Sequence, residues 1–265
     1  MPLSVGERPD EGRAVRTVHA ALDAGVTLVD TADAYCLTAD EVGHNERLVA
    51  KAVRTWSGRA DILVATKGGH TRPPDDSWAL DGSPAYLRTA CEASLRALGV
   101  EAIGLYQLHR PDPAVPWAES IGALEELRRE GKVQLVGVSN ADPAQIHEAL
   151  AITPLAAVQN QLSPAYRSSL PELRLCEELG VAFLPWSPLG GISAAAGLGE
   201  EHAVFGEIAR ERGVSPQQVC LAWLLALSPA VVPIPGASRP ESITDSAAAV
   251  ELALSSEELA RLDGA

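Results

Sequence analysis

The sequence predicts an α/β protein, a (β/α)8 TIM barrel whose first strand is missing or truncated. Three observations predict this fold: short apolar runs alternate with longer segments of helical period, the runs are apolar throughout, and none is followed by a Gly-rich GxGxxG turn. Seven such βα units in 265 residues favour a closed parallel barrel over an open, doubly wound sheet.

The predicted strands are short runs of β-branched and other apolar residues. Because they are apolar on both faces, we expect helices to cover the sheet outside and side chains to fill it inside. The runs are TLVDTAD from Thr27, DILVATK from Asp61, IGLYQLH from Ile103, VQLVGVSN from Val133, AAVQNQLS from Ala156, VAFLPWSP from Val181 and VVPIPGAS from Val231.

The segments between these runs place apolar residues at helical spacing. Pro follows Ser83 and Asp142 at two helix starts, and Gly99 and Gly180 stand at two helix ends. No linker or repeat divides the sequence, so we expect residues 1–265 to form a single domain. The predicted helices span residues 10–24, 41–56, 84–98, 117–129, 143–150 and 171–179, and a last one follows the N-cap signal of Ser255.

Composition and charge restrict what the chain could bind. It has 21 Lys and Arg against 35 Asp and Glu, a formal charge of −14, which excludes a basic nucleic-acid-binding surface. The N-terminal residues do not form a signal sequence, and Pro and Gly interrupt the long uncharged stretches, so no membrane span is expected. The four cysteines form no CxxC pair. We therefore expect a cytoplasmic protein with reduced thiols.

Four polar residues lie at the carboxyl ends of adjacent predicted strands. Asp30 and Tyr35 close the first strand in LVDTADAY, Lys67 ends the second run, and His109 ends the third. The carboxyl ends of strands in a parallel barrel share one rim, so these side chains are expected to meet there. Any one of them alone could be a structural group, but four together predict an active site.

The residue types suggest proton transfer to an oxygen. A tyrosine hydroxyl titrates near about 10, so it exchanges protons usefully near neutrality only if a cation stabilises the phenolate. Lys67 can be that cation, and Asp30 can keep the lysine charged when it is buried. His109 can orient a carbonyl oxygen. This combination predicts protonation of an alkoxide as a hydride reaches a carbonyl carbon.

Seven collinear motifs span nearly the whole chain, and with them the sequence resembles the aldo-keto reductase family. The resemblance implies a nicotinamide-dependent barrel enzyme with Tyr35 as general acid or base, Lys67 and Asp30 tuning its pKa, and His109 orienting a small carbonyl substrate. The motifs are DTADAY, ATKGG, LYQLHRPDP, EGKVQLVGVSN, VQNQLSP, PWSPLGG and IPGASRPES.

The resemblance also implies a cofactor site. Ser238 and Arg239 precede a predicted helix start, where backbone N–H groups and a guanidinium can bind a ribose 2′-phosphate, which favours NADPH (NADP) over NADH. Ser139, Asn140 and Gln159 would bind the carboxamide, and Trp186 would stack on the nicotinamide ring. Further implied cofactor-binding residues are Ser187, Leu189 and Gly190 along the pyrophosphate, and Gly236.

The sequence departs from the family pattern at three places. Cys36 stands where a Gly usually follows the tyrosine, and Ser242 and Ser246 replace larger residues that face the adenine, which predicts weaker adenine contacts. Only MPLSV and the short loop GERP precede the first helix, where the family carries roughly two dozen more residues, including a hairpin and the first strand. We expect a fully active form to have additional upstream residues.

Three other functions can be compared with the sequence: a serine hydrolase, a metal-dependent hydrolase and a cofactor-binding sensor. GVSNA, with Ser139, fits a nucleophile elbow, but the required Asp and His do not follow it in order. A metal-dependent barrel hydrolase would need a ligand set, which a sequence without HExxH does not supply; no metal site is predicted. A cofactor-binding sensor with little turnover stays open. The candidate metal ligands are Asp30, Asp33, His44, His70 and His109, and the candidate substrate-loop residues are His70, Trp78, Trp117 and Tyr166.

Overall fold

The computed structural model describes residues 1–265, which form a curled parallel sheet surrounded by helices, a partial barrel of the TIM type. Six strands make this sheet in the order β1-β2-β5-β6-β7-β8, and β3 pairs with β4 as a separate antiparallel hairpin. The strands are β1 Leu28–Asp30, β2 Leu63–Gly68, β3 His70–Thr71, β4 Ala79–Leu80, β5 Ile103–Leu108, β6 Val133–Ser139, β7 Leu155–Gln159 and β8 Ala182–Phe183.

The helices follow the predicted alternation closely. α3 and α4 have the predicted bounds, and Ser83, Asp142 and Ser255 cap the helices that they precede. No bounds are predicted from the sequence for the three helices at Leu198–Glu201, Ala203–Arg212 and Pro216–Leu227. The helices are α1 Glu11–Asp23, α2 His44–Thr55, α3 Pro84–Leu98, α4 Trp117–Arg129, α5 Pro143–Ile152, α6 Leu170–Leu179, α7 Leu198–Glu201, α8 Ala203–Arg212, α9 Pro216–Leu227, α10 Pro240–Ala247 and α11 Ser256–Asp263.

The seventh predicted strand, from Val231, is reduced to a single bridge. Val231 bridges Phe183 in parallel, and Val232 N donates to Phe183 O at 2.8 Å. Pro233 and Pro235 then interrupt the run, and neither has an N–H to continue a ladder. Six of the seven predicted strands are therefore present in the parallel sheet, and the prediction of the seventh was wrong.

The start of the chain carries no strand. Residues 1–7 form turns, and Pro2 packs directly against Gly236 at the end of the seventh predicted run. Ser4 is fully buried; its hydroxyl accepts a hydrogen bond from Asn45 Nδ2 at 2.7 Å and is hydrogen-bonded to His44 Nδ1 at 2.8 Å. The expectation that a first barrel strand precedes this segment in a longer form stays a prediction.

The interior of the sheet has an apolar layer below a polar one. Ala65 pairs with Leu105 in register, and two residues further along Lys67 pairs with Gln107. Because side chains alternate across a strand, residues two apart share the inner face. The lower layer packs Ala65, Leu105, Ala157 and Leu184 together. The polar layer above it therefore lies at the carboxyl ends of the strands.

A larger apolar core lies between the sheet and the outer helices. It includes 37 buried residues, among them the fully buried Trp223 and Phe205, whose rings meet edge-to-face at 5.7 Å. No helix of the structure has the length and apolarity that crossing a membrane requires. This core fixes the strands, and the strands fix the site at their ends.

Candidate active site

The four predicted catalytic residues meet at the carboxyl end of the sheet. Asp30 ends β1, Lys67 lies near the end of β2, and His109 directly follows β5. Tyr35 lies on the loop after β1, with its ring 5.6 Å from that of His109, edge to face. Three adjacent strands therefore bring together residues that lie as many as 79 positions apart in the sequence.

Lys67 is the centre of the group. Its side chain is fully buried, and Nζ donates to Asp30 Oδ2 at 2.6 Å, to the carbonyl of Thr31 at 2.8 Å and to Tyr35 Oη at 3.3 Å. Burial acts to lower the pKa of Lys67, but the opposite charges and hydrogen bonds of Asp30 and Tyr35 outweigh it, and the pKa is raised. The lysine therefore stays charged beside the phenol.

The second oxygen of Asp30 is held by two glutamines. Oδ1 accepts from Gln159 Nε2 at 3.0 Å and from Gln107 Nε2 at 3.3 Å. Both glutamines are buried on the inner face of the sheet. Sequence reasoning missed Gln107, although a lone polar residue within the apolar run LYQLH was the signal for it.

Tyr35 is buried, with 8% of its surface exposed, on the loop that also carries the buried Asp33. Asp33 Oδ1 accepts from the N–H of Ala34 at 2.6 Å. Burial, followed by the charge of Glu46, holds the pKa of Asp33 well above its usual range. Burial also raises the pKa of Tyr35, and the charge of Lys67 only partly offsets this. The phenol therefore keeps its proton at neutral pH.

His109 is neutral in this setting. Burial, followed by the charge of Lys67, holds the pKa of its imidazole well below the ordinary value. Its Nδ1 is buried without a hydrogen-bond partner, which leaves Nε2 as the nitrogen accessible from the cavity. Orphaned buried N–H groups are rare in proteins, so we assign the ring proton to Nε2, where it can be donated to a ligand.

A cavity of about 1080 Å³ extends from these residues across the carboxyl end of the sheet and down beside β1 and α1. Its volume is slightly above the usual range for ligand sites, which is roughly 300–1,000 Å³. Nine of the ten predicted cofactor residues line it; Gly190 does not, whereas its neighbour Gly191 does. The nine are Ser139, Asn140, Gln159, Trp186, Ser187, Leu189, Gly236, Ser238 and Arg239.

The middle of the cavity is a network of hydrogen bonds. Ser139 Oγ donates to the carbonyl of Gln159 at 2.7 Å, and Trp186 Nε1 donates to Asn140 Oδ1 at 3.1 Å. Asn140 Nδ2 donates to the carbonyl of His109 at 3.0 Å, and its backbone has a positive φ of 59°. Gln159 Oε1 has no protein partner, so it remains available to a ligand.

At the far end, Arg239 is exposed and lies at the N-cap of α10. Its guanidinium donates to Ser242 Oγ at 3.2 Å, and it forms no ion pair. Ser238 precedes it on the cavity wall, and Ser242 and Ser246 also line the cavity. A guanidinium that has no ion-pair partner and lies at a helix N-terminus is chemically suited to binding a phosphate.

The structure also places the candidate metal ligands, Cys36 and the candidate substrate-loop residues. No three His, Cys, Asp or Glu side chains are arranged as ligands for a metal ion. Cys36 is fully buried, and burial raises the pKa of its thiol, as expected for an unreactive cysteine. His70 and Trp78 line the cavity, whereas the other two substrate-loop candidates, Trp117 and Tyr166, do not.

Comparison with known proteins agrees with this geometry. A family model described as the aldo/keto reductase family matches residues 3–265. The chain is 33% identical over 257 residues to an uncharacterized oxidoreductase of Schizosaccharomyces pombe, covering 97% of this chain and 80% of the relative. It is 35% identical over 271 residues to a probable aldo-keto reductase of Glycine max, covering 92% and 77%.

Solved structures show the same fold. The glycerol dehydrogenase of Gluconobacter oxydans superposes with a TM-score of 0.83 at 28% identity, covering 98% of this chain and 86% of that one. An aldo/keto reductase of Klebsiella pneumoniae, in complex with NADP and acetate, gives a TM-score of 0.80 at 29% identity, covering 96% and 85%. The chain belongs to the aldo/keto reductase family and is an oxidoreductase.

Proposed function

We propose that the protein reduces an aldehyde or ketone to an alcohol by hydride transfer from NADPH, with Tyr35 as the proton donor. The observation that carries this proposal is the fully buried ammonium of Lys67, held between Asp30 and the Tyr35 hydroxyl. A cation in this position stabilises the phenolate that remains after the proton has left. The proposal assigns the four residues the roles that the family resemblance implies.

Tyr35 acts as the acid. NADPH, when bound, supplies the hydride to the carbonyl carbon. Tyr35 gives its proton to the carbonyl oxygen as negative charge develops there, and the charge left on the phenol oxygen lies 3.3 Å from Lys67 Nζ. Asp30 keeps Lys67 charged and is itself held by Gln107 and Gln159.

His109 orients the substrate. Its neutral ring has Nε2–H facing the cavity, so it can donate a hydrogen bond to the same carbonyl oxygen that Tyr35 protonates. A protonated imidazole would compete as an acid, but burial and Lys67 keep the pKa of His109 low. The two donors therefore define one position for the reacting oxygen.

The cavity residues fit a nicotinamide dinucleotide. Gln159 Oε1 is free to accept from a carboxamide, beside Ser139 and Asn140. Trp186 lines the cavity with its ring held by the hydrogen bond to Asn140, which leaves the indole available for stacking. Ser187 and Leu189 follow it along the wall, where the pyrophosphate would lie.

Arg239 supports NADPH as the cofactor. Its exposed, unpaired guanidinium and Ser238 would hold the 2′-phosphate at the start of α10. The NADP complex of the Klebsiella relative supports the same assignment. Ser242 already accepts a hydrogen bond from Arg239, so its hydroxyl positions this arginine and does not face an adenine freely.

A cofactor-binding sensor with little turnover is the alternative. NADPH titration followed by addition of an aromatic aldehyde separates the two functions. We expect saturable binding, loss of absorbance at the NADPH band only when both aldehyde and enzyme are present, and one alcohol formed per NADPH consumed. Tight binding without oxidation would support the sensor and contradict the reductase.

We also propose that residues 1–265 work as one domain in the cytoplasm. The cavity is lined by residues from Met1 to Val250, so both halves of the chain are needed for one site. All four cysteines are free thiols and buried, which supports a reducing compartment.

A further inference from the structure

A wall of four aromatic rings runs from the phenol to the cavity mouth. The ring of Tyr35 lies 5.6 Å from that of His109, His109 lies 4.3 Å from His70, and His70 lies 5.5 Å from Trp78, each pair edge to face. Trp78 is 44% exposed, so this end reaches the solvent. We call these four residues the aromatic row.

The outer half of the aromatic row is held rigidly. His70 is the first residue of β3 and Trp78 directly precedes β4, and the Tyr86 hydroxyl donates to the carbonyl of His70 at 3.2 Å. The guanidinium of Arg72 lies 4.5 Å from the Trp78 ring centroid and donates to the carbonyl of Leu37 at 2.5 Å. Trp78 is therefore a fixed surface with Arg72 stacked on it.

Arg110 is the cation at this end of the cavity. Only two lysine or arginine residues line the cavity, Arg110 here and Arg239 at the far end. Arg110 is exposed and makes no ion pair and no side-chain hydrogen bond, unlike Arg72. Its charge acts on both His70 and His109, where it adds to the effect of burial in lowering their pKa values. Arg110 directly follows His109 in the chain and lines the same cavity as His70 and Trp78, which places it at the aromatic row.

Asp112, two residues after Arg110, and Asp81 both accept hydrogen bonds from backbone N–H groups and form no ion pair with Arg110. Asp112 accepts from the N–H groups of Gly82 and Ala114, both at 2.9 Å. Asp81 accepts from the N–H of Ser83, also at 2.9 Å. In a chain of charge −14, an arginine that faces a ligand cavity with no carboxylate partner is free to bind an anion.

We propose that Arg110 and the aromatic row form a recognition subsite for aldehydes that carry a planar ring and, distant from the carbonyl, a carboxylate or similar anionic group. This inference rests on the proposed reductase function. The substrate ring would pack against His70 and Trp78, with its carbonyl at Tyr35 and its anion at Arg110. The row thus sets which carbonyl compounds reach the acid.

A matched pair of substrates tests the subsite. 4-Carboxybenzaldehyde carries the anion, and methyl 4-formylbenzoate is its neutral ester of nearly the same shape. We expect Arg110→Ala to raise KM for the carboxylate about fivefold, the size of an exposed ion pair, with KM for the ester and kcat for both unchanged. Arg110→Lys should keep most of the preference, and added salt should weaken it.

Two further variants separate the subsite from general effects. Arg174→Ala removes the same charge from an exposed position on α6, away from the cavity, and should change neither KM. Trp78→Ala should raise KM for both substrates, because it removes the ring surface and not the charge. Equal effects of Arg110→Ala on the two substrates, or no effect on either, would overturn the subsite and leave the reductase intact. No turnover of either aldehyde by the wild type would overturn the proposed function, and the subsite with it.

Discussion

The two ends of the cavity are built in opposite ways. At the catalytic end, Lys67 is fully buried on a strand and donates to three oxygens within 3.3 Å. At the far end, Arg239 is exposed and directly precedes α10, and its one side-chain hydrogen bond is to Ser242. The strand ladder fixes distances for proton transfer, whereas a loop cation needs only to meet a phosphate.

This difference predicts different consequences of mutation. A change among the buried residues should alter both catalysis and stability, because each of them satisfies a buried partner. A change at the exposed end should alter binding alone. The predictions below test that contrast, beginning with the largest effect.

Lys67→Met should lower kcat by about two to four orders of magnitude, because the phenolate loses its stabilising cation. It should also lower the free energy of unfolding by about 3 kcal/mol, because Asp30 loses the partner of its buried charge. Steady-state kinetics and denaturant melts measure both effects.

Adding Asp30→Asn to Lys67→Met separates the two losses. With the charge of Asp30 removed, the double variant should regain most of the stability but none of the activity. If the single variant kept its stability and turnover, the buried pair would have no role in either.

Arg239→Ala should raise the Kd for NADPH about tenfold and leave the Kd for NADH unchanged, because only NADPH carries the 2′-phosphate. The melting temperature should not move, since the side chain is exposed and unpaired. Fluorescence titration with both nucleotides measures this. Similar losses of affinity for NADPH and NADH would contradict the assignment of Arg239 to the 2′-phosphate.

His109 should make stability depend on pH in the acid range. Its pKa is depressed in the folded state, so the unfolded chain binds a proton that the folded chain does not below about pH 6.5. Stability is therefore full above pH 6.5 and is lost as the pH falls, by up to about 1.4 kcal/mol per pH unit for this group. His109→Asn should make that slope shallower in melts between pH 7 and pH 5. An unchanged slope would mean that His109 titrates normally.

The sequence predicted which side chains meet at the strand ends. Asp30, Lys67 and His109 end three successive apolar runs, and strand ends in a parallel barrel share a rim, so their meeting follows from the alternation of strands and helices alone. Their assignment as an active site came from the residue types and from the seven collinear motifs.

Other features depended on contacts that the sequence does not display. Gln107 supports Asp30 from β5, which is separated from β1 by β2, so the contact depends on the register of β1 against β2 and of β2 against β5. The β3–β4 hairpin, which carries His70 to within 4.3 Å of His109, has strands of only 2 residues each, too short for an alternating pattern, although the PPDDS segment between them is a turn signal. The prediction of the seventh strand was wrong because Pro233 and Pro235 lack the N–H groups that a ladder needs.

The most direct test of the central claim is the Tyr35→Phe variant, compared with wild type in a single turnover of enzyme-bound NADPH with an aromatic aldehyde. This change removes one oxygen and keeps the ring that packs against His109. NADPH should bind with unchanged affinity, and its oxidation should slow by about 10²- to 10⁴-fold. Oxidation at the wild-type rate would contradict the assignment of Tyr35 as proton donor.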